Sequence, residues 1–241
     1  MSKTGGGRAT NQYRVQGVGK SAESIASGQE LREATRLAAL VDTDTGYGAT
    51  EVDEDVREFL TPRRSALLTL AEVNEHEAEN ILLAVNWLES HPYSSTSDLL
   101  DVMSIREIHK RMFEDVWTWA GKFRSKETNI GVAPHLVTTH LAVLLRNTQE
   151  QIDAEAFPAG EVCVRFHHAL VSIHCFPNGN GRHARVAADE LGRLLGLGHR
   201  PLTWGSKTGL PASERRRRYL QALRTADATG QFDELLKIAF S

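Results

Sequence analysis

The residues whose types and spacing could do chemistry are concentrated in one stretch, HCFPNGNGRHAR, from His174 to Arg185. The run Asn178 to Gly181 tolerates positive φ angles, so the backbone can turn sharply there and direct successive N–H groups into one concavity. The helix predicted to follow adds the N–H groups and the positive dipole end of its first turn. Arg182 and Arg185 share one face of that turn, where two cations are unfavourable unless an anion compensates them. The stretch therefore predicts a site for a polyphosphate.

His174 is a candidate general base beside this anion site, because an ordinary imidazole has a pKa of about 6.5 and exchanges protons near neutral pH. A base next to a phosphate cradle indicates nucleotidyl or phosphoryl transfer to a hydroxyl. Each part also has an ordinary structural explanation: a histidine as a helix cap, paired arginines as a solvated face, and NGNG as a plain turn. Their joint occurrence in one short stretch favours the chemical interpretation.

The elements that must position these residues are predicted to be helices. An apolar stripe that ends at His174 predicts a helix over 160–174, Pro177 ends it, and a second helix is predicted over 182–195. Similar periodicity predicts helices near 72–91, 97–117, 134–152, 211–228 and 231–240. Residues 123–132 mix β-branched and turn residues and predict a short hairpin or loop. The predicted fold class is all-α.

Composition excludes several classes of function. The 241 residues carry a formal net charge of −3, so the chain is not a general polyanion binder. Two cysteines are too few for a disulfide scaffold, and no apolar run is long enough for a membrane span, so we expect a cytoplasmic protein. Residues 1–60 are predicted to be a flexible or loosely packed extension, and residues 61–241 one domain.

The stretch from His174 to Arg185 resembles the active-site motif of the Fic family, H-x-F-x-[D/E]-G-N-G-R-x-x-R, and matches every fixed position but one. FEDVWTWAGKFR at 113–124 is similar to the family's W-A-G-x-x-R segment, and RRYLQALRTAD at 217–227 is similar to its closing helix. The resemblance covers roughly residues 65–240. It implies an all-α fold with a short β-hairpin flap, and transfer of AMP from ATP to a Ser, Thr or Tyr hydroxyl of a target protein.

The resemblance also implies roles by position. His174 would deprotonate the target hydroxyl, and Arg182 would act with it in catalysis by binding an outer phosphate. Arg185 would contact the γ-phosphate. The nucleotide-binding residues that it implies are Asn178, Gly179, Asn180, Gly181, Arg182, Arg185, Tyr219 and Asp227. The flap residues that it implies, which would clamp a target segment by strand addition, are Thr128, Asn129, Ile130, Gly131 and Val132.

Asn178 departs from the family pattern, because it occupies the position of the acid that holds Mg²⁺. Mg²⁺ affinity depends on ligand charge, so we expect the ion to be held through the ATP phosphates, without an acidic protein ligand. Two outcomes follow: weakened transferase activity, or a catalytically silent nucleotide-binding regulatory module. Transfer of another phosphate-bearing group is a further alternative, since the cradle recognises phosphates and not bases. No residue is predicted as a metal ligand.

EHEAEN at 75–80 partly resembles the family's self-inhibitory helix, in which a glutamate pairs with the second motif arginine. Glu79 is the inhibitory candidate, and Arg185 would be its partner. Acidic residues early in a helix also simply complement its dipole. The expected partners are a target protein with an exposed hydroxyl and either an antitoxin or the chain's own inhibitory helix. Neither membrane nor nucleic acid is predicted as a partner.

Overall fold

The computed structural model describes residues 56–64, 70–199 and 201–241. The predicted N-terminal extension therefore lies outside the described residues, except for its last five. Within those five, Val56–Phe59 form a 3-10 turn, and Leu60 is buried and makes an isolated antiparallel bridge with Trp117. Thr61 N donates to Val116 O at 2.9 Å and Thr118 N to Phe59 O at 2.9 Å. The chain just before the helices is thus attached to their core.

The all-α fold class is confirmed. The helices of the described residues are α1 Leu70–Ser90, α2 Thr96–Leu99, α3 Val102–Phe113, α4 Val137–Asp153, α5 Ala159–Ile173, α6 Asn180–Leu194, α7 Ala212–Thr229 and α8 Asp233–Phe240. Short 3-10 turns lie at Pro134–Leu136 and Ser206–Thr208. None of the helices in the described ranges is long and apolar enough to cross a bilayer.

The helix predicted over 97–117 is interrupted, because Asp101 begins a new helix inside it. Asp101 Oδ1 accepts hydrogen bonds from Met103 N at 2.8 Å and Ser104 N at 3.4 Å, which caps the first turn of α3. α3 ends at Phe113, and Val116 and Trp117 follow in a turn. The apolar stripe is thus helical, as predicted, but the Asp101 cap divides it between two helices.

The helices α5 and α6 form the centre of the core and pack closely against each other. α5 buries Val162, Phe166 and Leu170 at helical spacing, and α6 presents the small residues Ala184 and Ala187 to its neighbours. Small side chains let two helix backbones approach closely. α1 packs on α3, and α4 packs on α5. The loop from His174 to Gly179 is therefore held between the two most central helices.

The predicted short β-hairpin is not formed: residues 123–132 are an irregular loop, and the described part of the chain contains no strand. Its two arms do not pair with each other, because each donates to the end of α5 instead. Arg124 N donates to Cys175 O at 3.0 Å, and Val132 N donates to Ile173 O at 3.3 Å. The flap is thus an arch fixed at both ends to the carbonyl end of α5.

Candidate active site

His174 ends α5 and lies at the centre of the site. Its backbone adopts the left-handed conformation, with φ 55°, and its N–H donates to Leu170 O at 3.4 Å. This conformation is uncommon for a residue other than glycine and turns the chain sharply out of the helix. Burial, together with the nearby Arg124 guanidinium, lowers the pKa of His174 to about 4. The imidazole is therefore neutral at pH 7 and can accept a proton.

The loop after His174 is braced by Asn180. Asn180 Oδ1 accepts from Phe176 N at 2.9 Å, and Asn180 Nδ2 donates to Phe176 O at 2.8 Å. Phe176 is fully buried, which anchors the loop in the core. Both polar atoms of the Asn180 side chain are thus bonded to Phe176. Asn180 would therefore contact a phosphate through its backbone N–H.

His109 supports the same loop from beneath, a role that the sequence did not indicate. His109 Nε2 donates to Asn178 O at 3.1 Å, and His109 Nδ1 accepts from Gly121 N at 3.0 Å. Its ring stacks on Phe176 with 3.6 Å between centroids. Burial holds the pKa of His109 well below its ordinary value, so the neutral ring keeps one donor and one acceptor.

The anion cradle begins at Gly179, the N-cap of α6, with φ 76°. A Cβ there would lie 2.4 Å from Phe113 Cζ, so only glycine fits. Gly179 N donates to Asn178 Oδ1 at 2.7 Å. The next three N–H groups, of Asn180, Gly181 and Arg182, precede the first N–H that can bond within a helix. A Cβ built on Gly181 meets nothing within 4 Å, so the cradle opens to free space.

Arg182 and Arg185 both lie at the start of α6, but they have different partners. Arg182 Nη1 donates to Glu77 Oε2 of α1, and the same carboxylate accepts from Trp117 Nε1 at 2.5 Å. The Arg185 guanidinium lies 4.5 Å from the centre of the Tyr219 ring. The predicted cationic pair therefore exists, with one member held by a carboxylate and the other by an aromatic face.

Tyr219 is buried and does not line an open surface. Tyr219 OH lies 2.8 Å from His167 Nε2, and burial lowers the pKa of His167 to about 3, so this histidine is neutral. Asp227 lies two turns further along α7, about 12 Å away at 1.5 Å per residue. Its carboxylate is 58% exposed and lies 2.8 Å from His168 Nε2. The structure thus places the two residues of α7 that the resemblance implies as nucleotide-binding in different surroundings, one buried and one exposed.

Glu79 does not contact Arg185. Its carboxylate is 61% exposed, and Glu79 Oε2 lies 3.1 Å from His76 Nδ1. Glu77 instead lies on the buried face of α1, because it is spaced four residues from both Val73 and Ile81. The two glutamates are about 200° apart around the helix, at 100° per residue. This spacing was the signal in the sequence that could have identified Glu77.

The outer part of the flap is accessible, and its inner part lies against His174. Thr128 Oγ1 donates to Ile130 O at 2.6 Å, and the exposed tip carries Asn129 and the 46% exposed side chain of Ile130. A Cβ on Gly131 would lie 2.6 Å from His174 Cβ. The predicted flap residues are therefore adjacent to the predicted base.

The protein groups of the loop do not fit a magnesium site of their own. Asn178 Oδ1 is a neutral amide oxygen that already accepts the Gly179 N–H. Over the described ranges, His, Cys, Asp and Glu side chains form no group of three that could hold a metal ion. A hard cation would thus meet one uncharged protein oxygen here.

The Fic/DOC family model matches residues 99–191 of the chain. Residues 99–191 are a Fic domain. The matched range runs from the end of α2 into α6, and it contains His174, the loop and both motif arginines. The family resemblance predicted from the active-site motif is confirmed. α1 and α7, which supply Glu77 and Tyr219, lie outside the matched range.

Solved structures show the same fold. A variant of Fic-1 from C. elegans matches with a TM-score of 0.62 at 22% identity, over 90% of this chain and 62% of that chain. BepC from Bartonella tribocorum, with bound AMPPNP, matches with a TM-score of 0.54 at 16% identity, over 76% of this chain and 94% of that chain. A Fic domain from Bartonella quintana, with bound ADP, matches with a TM-score of 0.55 at 14% identity, over 76% of this chain and 92% of that chain. A comparison with curated proteins finds no match. This chain spans less than two thirds of the C. elegans Fic-1 chain that it matches.

Proposed function

We propose that this chain is a protein adenylyltransferase, which transfers AMP from ATP to a Ser, Thr or Tyr hydroxyl of a target protein. The observation that carries the proposal is the neutral, buried His174 directly followed by an open N–H cradle with two arginines. The Fic domain supports it, as do the AMPPNP and ADP bound to two proteins of the same fold.

In the proposed reaction, the target hydroxyl oxygen attacks the α-phosphorus of ATP, and the bond to the bridging oxygen of pyrophosphate breaks. The hydroxyl proton passes to the imidazole of His174. Since Nδ1 is buried, we assign the proton to Nε2. The flap arch would hold the target backbone beside this nitrogen, so that the hydroxyl is positioned before it reacts.

The charge on the phosphates would be met by the first turn of α6. Backbone N–H groups of Asn180, Gly181 and Arg182 face the cradle, and fixed donors of this kind stabilise charge that develops in the transition state. The guanidinium groups of Arg182 and Arg185 would bind the outer phosphates. Any Mg²⁺ would arrive with the phosphates, and no step is assigned to a metal held by the protein.

The proposal is tested with His174→Ala and radiolabelled ATP, using labelling of the chain itself and of a cell lysate. We expect labelling to be lost, by roughly a hundredfold or more for removal of a general base, while ATP affinity stays nearly unchanged. The matched control is His140→Ala, since His140 is an exposed histidine of α4. Persistent labelling by His174→Ala would contradict the assignment of the base.

Two further outcomes distinguish the alternatives. ATP binding by the wild-type chain without any labelling would indicate a silent nucleotide-binding module. Labelling with another nucleotide from a panel, but not with ATP, would indicate transfer of a different phosphate-bearing group. Mass spectrometry of the labelled lysate would show an adenylyl increment on the target if the proposal is correct.

A further inference from the structure

Arg124 joins the flap to the end of α5. Its buried guanidinium donates from Nε to His174 O at 2.6 Å and from Nη2 to Ile173 O at 3.5 Å. It also donates from Nη1 to Lys126 O at 3.1 Å and from Nη2 to Val132 O. The first two acceptors belong to the helix end that carries the base, and the last two belong to the two arms of the flap.

All of these acceptors are backbone carbonyls, so within the described part of the chain the Arg124 side chain holds the backbone in place and bonds to no other side chain. The carbonyl groups at the end of a helix have no partners within it, and a cation there is favoured by the helix dipole. Arg124 thus donates to the His174 carbonyl at the end of α5, and it shares the Ile173 carbonyl with the backbone N–H of Val132. The planar guanidinium has several donors in one rigid group, which a lysine cannot reproduce.

The flap and His174 are also in direct contact. Gly131, with φ 108°, leaves no room for a side chain: a Cβ would lie 2.6 Å from His174 Cβ and 2.8 Å from Arg124 Nη2. The contact between Gly131 and His174 therefore lies directly beside the hydrogen bonds that Arg124 makes. The inner arm of the flap cannot approach or leave His174 without disturbing Arg124.

We infer that Arg124 is a positioning residue, which holds the flap and His174 as one unit so that a hydroxyl bound on the flap is presented to the imidazole. The catalytic part of this inference rests on the proposed function. The structural part, a fixed spacing between flap and base, does not depend on it.

The charge of Arg124 gives this role a signature that mere stabilisation would not have. The Arg124 cation lowers the pKa of the His174 imidazole in addition to the effect of burial. The neighbouring Cys175 stays a neutral thiol, because burial raises its pKa to about 12. Loss of the Arg124 charge should therefore raise the pKa of His174.

The experiment compares Arg124→Met, Arg124→Lys and Gly131→Ala in the full chain. Arg124→Met removes both charge and hydrogen bonds, Arg124→Lys keeps the charge, and Gly131→Ala displaces the flap without changing any charge. Arg106→Met is the matched control, since Arg106 Nε also donates to a backbone carbonyl, that of Gly121 at 2.9 Å, and its guanidinium lies over the Phe123 ring, 5.3 Å from the ring centre. The measurements are the NMR titration of the His174 imidazole, protease sensitivity of the flap, and kcat and KM for ATP in labelling.

We expect the His174 titration to move to higher pH in Arg124→Met and to stay near the wild-type position in Arg124→Lys. All three site variants should lower kcat by roughly a hundredfold, the effect of a displacement of about 1 Å, with little change in the KM for ATP. The flap should be cut faster in all three, and Arg106→Met should behave as wild type. If Arg124→Met does not fold, the other two variants carry the test.

Two results would overturn the inference: a flap in Arg124→Lys and Gly131→Ala as resistant to protease as in wild type, or wild-type kcat in those variants. Failure of the proposed function has a different result. In that case the wild-type chain labels no protein, yet the NMR and protease measurements still report whether Arg124 fixes the flap against His174.

Discussion

The surroundings of His174 lower the pKa of its imidazole and so keep it neutral. Burial removes water from the imidazole and the Arg124 cation opposes a second positive charge, so the pKa falls from about 6.5 to about 4. His174 is therefore unprotonated throughout the neutral range. Its function as a base would be lost only as the pH falls through about 4.

Asn178 is the residue at which a single change should strengthen the reaction. In Asn178→Asp, a carboxylate would still accept the Gly179 N–H and would add a charged ligand for Mg²⁺. We expect the labelling rate at low Mg²⁺ to rise about tenfold, because charge on the ligands dominates Mg²⁺ affinity. The measurement is the initial labelling rate as a function of Mg²⁺ concentration.

Asn178→Ser is the neutral control for this change. Serine keeps an oxygen that can accept from the next N–H, but it adds no charge. An identical Mg²⁺ dependence in the Asp and Ser variants would show that the ion is held by the phosphates alone.

At the scale of elements, the rotation of α1 about its own axis decides which of its glutamates contacts the site. Glu77 lies on the core face and pairs with Arg182, while Glu79 faces solvent beside His76. The Glu77 carboxylate therefore competes with a bound phosphate for the Arg182 guanidinium. Under the proposed function, we expect Glu77 of α1 to act as a brake on the cradle, at a position and on an arginine that differ from those predicted from the motif.

Glu77→Gln should release this brake. Glutamine has nearly the same size and can still accept from Trp117 Nε1, but it removes the charge that holds Arg182. We expect ATP affinity to rise about tenfold or more, in line with about 1.5–3 kcal/mol for a hydrogen bond to a charged group. Titration calorimetry with ATP provides the measurement.

Glu79→Gln is the matched control on the same helix. It removes an exposed carboxylate that contacts only the neighbouring turn, so ATP affinity and labelling should stay at wild-type values. A stronger gain from Glu79→Gln than from Glu77→Gln would restore the original prediction that Glu79 is the inhibitory residue.

For the whole molecule, we expect the core to be sensitive to acid, because it contains several buried histidines with a lowered pKa. Burial lowers the pKa of His174 and His183 to about 4 and that of His167 to about 3, and it lowers the pKa of His109 strongly. Each has a folded-state pKa below its unfolded value of about 6.5. The unfolded chain therefore binds more protons than the folded chain between those pKa values, and stability falls as the pH falls through that range.

We expect the free energy of unfolding to fall steeply between pH 6.5 and pH 4. A histidine with a folded pKa of about 4 should lose about 2 kcal/mol of stabilisation between pH 7 and pH 5. Urea unfolding at a series of pH values measures the slope. The slope of the unfolding free energy against pH counts the protons taken up on unfolding, and in His183→Gln this number should fall by nearly one. In His140→Gln, which replaces an exposed histidine, the slope should stay at the wild-type value. Equal slopes in the two variants would contradict this prediction.

Local patterns predicted the elements well. Apolar spacing located the helices around the loop to within a few residues, and the run Asn178 to Gly181 indicated the turn that Gly179 makes with positive φ. Helices and turns depend on residues that are close in the chain, so they can be predicted from a single sequence. The N-cap at Asp101 does not show in the periodicity, because a capping side chain within a longer apolar stripe weakens the periodic signal only slightly.

The sequence by itself determined the all-α fold, the position of His174 at a helix end and the N–H cradle before Arg182 and Arg185. Only the tertiary structure decided that Glu77 meets Arg182, that Tyr219 turns inward to His167, and that the flap is fixed to α5 through Arg124. The physical reason is the range of the interactions. Helices and turns follow from contacts a few residues apart, whereas these pairings depend on which faces of distant helices pack together and which carbonyls their ends leave unbonded.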